Sequence, residues 1–125
     1  MTTKTVKLIA FIFLLVHGIG HFQGVAAGLG LKINKKKPVN SWLLKSKTAK
    51  TNKNLCLILF LITGIFGIIT ALSFYSIIFP VDLWESFGII TAFMSTICMI
   101  TYPNSFAMFF NKAGAILVNL YLYIT

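Results

Sequence analysis

Two histidines, His17 and His21, stand four residues apart inside an apolar run, in the stretch His17-Gly18-Ile19-Gly20-His21. Residues at i and i+4 share one face of a helix, so both imidazoles point the same way. Such a pair suits three kinds of chemistry. It can hold one metal ion between two ring nitrogens. It can hydrogen-bond a polar ligand such as a quinone head, or relay protons, because each neutral ring carries one donor and one acceptor. It can also serve structure alone, each ring bonding a carbonyl, Ser, Thr or Asn on a neighbouring helix. The pair cannot supply both axial ligands of one haem, which come from opposite sides. A haem would need a partner helix or a second chain.

A second polar set lies near the C-terminus: Asn111, Lys112 and Asn119. Lys112, Ala115 and Asn119 fall at i, i+3 and i+7, again one helix face. Lys112 either faces the interior with the histidines or snorkels toward the near membrane surface. Asn119 suits an interhelical hydrogen bond. The only two acids are Asp82 and Glu85. Cys56 and Cys98 match no CxxC spacing and sit in apolar segments, as buried, inert thiols do.

These residues must be positioned by helices in a membrane. Of 125 residues 58% are apolar and 10% charged, and mean hydropathy is +0.90. A soluble domain has about 45–50% apolar and about 25% charged residues. So short a chain cannot bury that much apolar surface in one core. A soluble enzyme, a disordered tail and a disulfide-stapled module are thereby excluded. No Ser-His-Asp set and no phosphate-binding glycine loop is present. No carboxylate sits at mid-depth in the first, second or last apolar segment, which argues against a proton-driven small multidrug exporter. A non-catalytic role fits better than an enzyme.

Four segments approach the length of about 20 residues that a spanning helix needs: about 8–31, 55–75, 83–102 and 106–124. They predict an all-α, polytopic membrane protein, a single domain of four transmembrane helices in an antiparallel bundle. Pro80 ends the second linker, and Asp82 with Glu85 forms an expected capping box. Pro103 stops the third helix, with Asn104 or Ser105 capping the fourth. Trp84, Tyr102, Tyr121 and Tyr123 are expected at the membrane interfaces. Gly20, Gly24 and Gly28 form a small-xxx-small stripe, suited to close approach of a helix or of a second copy in a homodimer. Gly64, Gly67 and Ala71, and Gly88, Ala92 and Thr96, form similar stripes.

All eleven basic residues are Lys, and the net charge is +9. Without Arg, nucleic acid is not an expected partner. Eight lysines lie in the loop 32–54, from Lys32 to Lys53. The positive-inside rule places this loop in the cytoplasm and both termini outside, with anionic lipid as its partner. Trp42-Leu43-Leu44 is expected at headgroup level. An alternative reading takes Lys4, Lys7 and the run Leu8–Val16 as a signal peptide cleaved after Val25-Ala26-Ala27. The apolar run continues to Leu31, which suits a retained helix. With the termini outside, helix rise puts Glu85, His17 and Asn119 in the outer half of a polar interior, and His21 with Lys112 below.

His17-Gly18-x-x-His21 followed by Gly24 resembles the first helix of DoxX-like small four-helix membrane proteins, where His-Gly-x-x-Lys is common. It is also similar to uncharacterised bacterial and archaeal membrane proteins with a His-Gly-x-x-His first helix and a last helix reading Lys-x-Gly-x-x-x-Asn. Here Lys112, Gly114 and Asn119 are present, with one extra residue between Gly114 and Asn119. The resemblance implies a prokaryotic plasma-membrane protein and a redox-linked subunit, since the group includes a small subunit of a thiosulfate:quinone oxidoreductase. Three functions are therefore expected, in order. The first is an accessory subunit of a quinone-dependent redox system, within a larger membrane complex. The second is a metal- or haem-binding protein using His17 and His21. The third is a small carrier or channel working as an oligomer through Lys112.

Overall fold

The computed structural model describes residues 2–31, 41–103 and 109–124, without the side chains of 109–112. The described residues form helices and turns, with no strand among them. Among the described residues three stretches are long and apolar enough to cross a membrane: Thr3–Gly28, Ala49–Phe74 and Val81–Thr101. A fourth helix has the described apolar part Ala113–Ile124.

Helix α1, Thr3–Gly20, starts before the expected Leu8, because Thr2 caps it by accepting the Thr5 N–H. Lys4 and Lys7 thus lie on the helix, and the Lys7 ammonium sits over the rings of Phe74 and Tyr75, 5.9 and 5.7 Å from their centroids. At His21 the winding tightens: its N–H turns to Gly18 O, three residues back, at 3.2 Å. Helix α2, Phe22–Gly28, then continues the same rod. It stops where Gly30 takes φ 85° and Leu31 N–H reaches back to Ala26 O. This is a left-handed stop that glycine adopts without steric penalty.

Helix α3, Ala49–Phe74, also begins earlier than the expected residue 55, because Thr48 caps it by accepting the Thr51 N–H. Asn52 donates back to Thr48 O and Lys47 O. Lys50 and Lys53 therefore ride on the helix, and the basic loop is shorter than expected. After Pro80 a single 3-10 turn, Val81–Leu83, leads into α4, Trp84–Thr101. The expected capping box does not form. Asp82 lies inside the 3-10 turn rather than in an extended N-cap conformation, and neither Pro80 nor Leu83 supplies a side-chain cap. Helix α5 is described over Phe109–Ile124, and its expected start at 106 and the caps expected at Asn104 and Ser105 lie outside the described residues.

The pairings fix the direction of every helix. Gly18 meets Gly67, Gly24 meets Phe60 and Gly28 meets Leu57, so the α1–α2 rod runs antiparallel to α3. Thr70 bonds Thr91 at 3.1 Å and Thr63 approaches Cys98 at 3.3 Å, so α4 is antiparallel to α3. Gly88 meets Leu122 and Ser95 bonds Asn119, so α5 is antiparallel to α4. Helix α3 is the centre, packed on the α1–α2 rod at one side and on α4 at the other; α5 lies on α4 and touches α1 more lightly.

Two apolar clusters fill the interior: Leu14, Ala71, Ala92 and Leu122 at one level, and Cys56, Phe60, Cys98 and Tyr102 at another. Tyr102 is thus not an interfacial aromatic; it is 1% exposed, its hydroxyl buried. Cys56 and Cys98 form no disulfide, and both are buried. Trp42 is exposed, yet its indole N–H donates to Ile100 O at 2.6 Å, tying the basic loop to the end of α4.

Candidate functional site

The site begins with a backbone-to-backbone contact. A Cβ on Gly18 would stand 2.7 Å from Ile68 N and 2.8 Å from Gly67 C. Only glycine allows that approach, and it fixes how α1 is rotated against α3. Gly24 closes on the Phe60 ring, and Gly28 on Leu57. Gly20 does not take part, since a Cβ there meets nothing within 4 Å. The expected stripe Gly20/Gly24/Gly28 is corrected to Gly18/Gly24/Gly28. Two residues beyond Gly18, Gly20 is turned well away from α3, and the tightened turn at His21 shifts the phase between the two halves of the rod.

That rotation turns His17, Gly20 and His21 toward α5. Between the α1–α2 rod and α5 lies a cleft of about 320 Å³. His17, Gly20, His21 and Gln23 line one wall, and Gly114 with Ala115 the other. The rim carries Phe13, Val16 and Leu117, all strongly exposed. The cleft therefore opens sideways, through an apolar rim, and not at an end of the bundle. A second cleft of about 220 Å³ continues beside it along Ala10, Leu14 and Tyr121, sharing Phe13, Leu117 and Val118 with the first.

His17 is 9% exposed and His21 1%. Their Nε2 atoms are 3.4 Å apart, with the ring planes at 81°. The His21 ring also lies 5.8 Å from that of Phe60, centroid to centroid. Two neutral rings at this distance share one hydrogen, one Nε2 donating and the other accepting. The same separation fits two ligands of a tetrahedral zinc ion, which lie about 3.3 Å apart for Zn–N of about 2.0–2.1 Å. Among the described residues no third His, Cys, Asp or Glu joins them.

Asn119, 3% exposed, stands beside His17 and interacts with it. Its amide nitrogen donates to Ser95 Oγ at 3.0 Å and to Thr96 Oγ1 at 3.4 Å. Its Oδ1 is buried and makes no hydrogen bond of good geometry. The structure thus brings His17, His21 and Asn119 together. It does not bring Glu85 to them: Glu85 is exposed in the first turn of α4. Lys112 lies on α5, but its side chain is outside the described residues. Sequence reasoning missed Gln23 and Ser95. Gln23 carried a signal, a polar amide inside an apolar segment. Ser95 carried none that set it apart from the other hydroxyl residues. Gly20 and Gly114 emerge as bare walls of the cleft rather than packing residues; a Cβ on Gly114 also meets nothing within 4 Å.

No family model, no curated protein and no solved structure matches this chain.

Proposed function

We propose that this chain is a small, non-catalytic accessory subunit of a membrane redox system that works with quinone, with His17 and His21 facing a polar pocket. The observation that carries the proposal is the lateral cleft. A buried pair of imidazoles is reached through an apolar rim between α1 and α5, the route open to a lipid-soluble molecule and closed to a water-soluble one. The resemblance of His17-Gly18-x-x-His21 and Gly24 to DoxX-like proteins supports the same assignment.

In this proposal the chain crosses the plasma membrane four times, with both termini outside. Lys45, Lys47, Lys50 and Lys53 then face anionic headgroups on the cytoplasmic side. Copurification tests the role. A tagged chain extracted in gentle detergent is expected to carry larger, redox-active partners; a chain recovered alone from its native membrane overturns the role.

The spacing of the two Nε2 atoms favours a second reading, a metal ion held by His17 and His21. Absorption spectra, oxidised and reduced, with elemental analysis of the same sample separate the two. One metal per chain, lost in His17→Ala, selects the metal reading; a metal-free, featureless sample rejects it.

A further inference from the structure

The two clefts along α1 and α5 adjoin, sharing Phe13, Leu117 and Val118, and differ in chemistry. At one end the walls carry the polar residues His17, His21 and Gln23. At the other they carry Ala10, Leu14, Val118 and Tyr121, almost wholly apolar. No ionic side chain is among the described lining residues. The polar end is about 320 Å³, within the range of about 300–1,000 Å³ typical of small-molecule sites.

Glycines shape this feature. Gly20 on α1 and Gly114 on α5 line opposite walls, and a Cβ at either meets nothing within 4 Å. The glycines that hold the bundle together, Gly18, Gly24 and Gly67, are filled against their neighbours. Gly20 and Gly114 are not needed for packing, and what they leave is room.

We propose that the α1–α5 cleft binds an uncharged, single-tailed amphiphile of the prenylquinone type, its carbonyl-bearing ring between Gly20 and Gly114 and its tail along the apolar end. A charged head is disfavoured because none of the described lining residues is ionic, and a buried charge needs a partner. A carbonyl head is favoured because neutral imidazole donates from one nitrogen, and a ligand carbonyl competes for the hydrogen now shared between the two rings. Gly20 and Gly114 are the size-determining residues, and His17 and His21 the head-recognising ones. The inference deepens the proposed function by naming what its pocket holds.

The experiment uses the full chain, purified in detergent and freed of lipid-soluble cofactors, with two probes: a decyl-tailed benzoquinone, and decylbenzene, which has the tail and ring without the carbonyls. Equilibrium dialysis is expected to show saturable binding of the quinone, at least tenfold tighter than decylbenzene. Gly20→Leu and Gly114→Leu, at positions where a Cβ meets nothing within 4 Å, are expected to weaken it at least tenfold while leaving helicity and the unfolding midpoint unchanged. His17→Leu is expected to abolish the preference for the quinone. Equal binding of both probes overturns the proposal, reducing the cleft to an apolar seam. Unchanged quinone binding in both Leu variants overturns it too. If a Leu variant misfolds, labelling of the unaltered chain by an azido-benzoquinone decides, and labels outside α1 and α5 refute the site. The outcomes also separate the two proposals. An isolated chain that binds quinone but has no partners keeps this site and loses the accessory role. A chain with redox partners and no quinone binding does the reverse.

Discussion

Asn119 is the residue whose removal isolates the polar cluster from the rest of the bundle. Its amide joins α5 to Ser95 and Thr96 of α4 while its side chain stands beside His17. Interhelical hydrogen bonds between membrane helices contribute about 0.6 kcal/mol on average and up to about 1.7 kcal/mol. Asn119→Ala is expected to cost that much in unfolding in a mixed micelle, and Asn119→Asp more, because it buries a carboxylate. A loss under about 0.3 kcal/mol in Asn119→Ala would show that Ser95 and Thr96 hold α4 and α5 without it. The sequence made Asn119 and His17 visible as polar groups inside apolar runs. It did not show that they meet while Glu85 stays outside. That depends on the rotation of three helices about their axes, which residue type alone does not encode.

Helices were legible because apolar runs are a strong signal, and their ends less so because caps are polar and local. Thr48 starts α3 well before the apolar residues do. At α4 the Pro80 turn takes Asp82 out of the capping geometry that its spacing with Glu85 suggested. Tyr102 was placed at the interface by type and is instead closed over by Cys56 and Phe60. The glycine stripe shows the reason most clearly. A break at His21 is not written in composition, and it decides whether Gly18 or Gly20 faces α3. Gly18→Ala is therefore expected to force α1 and α3 apart, at a cost of about 1–3 kcal/mol for overpacking. Gly20→Ala is expected to be neutral or to stabilise by up to about 1 kcal/mol, through lower backbone entropy in the unfolded chain. Paired unfolding curves of the two variants check this, and equal effects would contradict the packing of α1 on α3.

As a whole the molecule is electrically lopsided. Lys45, Lys47, Lys50 and Lys53 gather near the end that Trp42 ties to α4, and both acids lie at the opposite end beside Lys4 and Lys7. The positive-inside rule turns that asymmetry into an orientation. In intact cells, Ile78→Cys is expected to react with a membrane-impermeant maleimide, and Ser46→Cys only after permeabilisation. The reverse pattern would invert the topology and place the basic end outside.

Such labelling passes over the two native thiols, Cys56 and Cys98, both 0% exposed. A thiol closed off inside the packed helices is out of reach of such a reagent. The folded chain is thus a dark background for sulfur chemistry. A single cysteine placed anywhere on its surface becomes a reporter without first deleting the native pair, and a label appearing on Cys56 or Cys98 would be a direct signal that the helices packed around α3 have come apart.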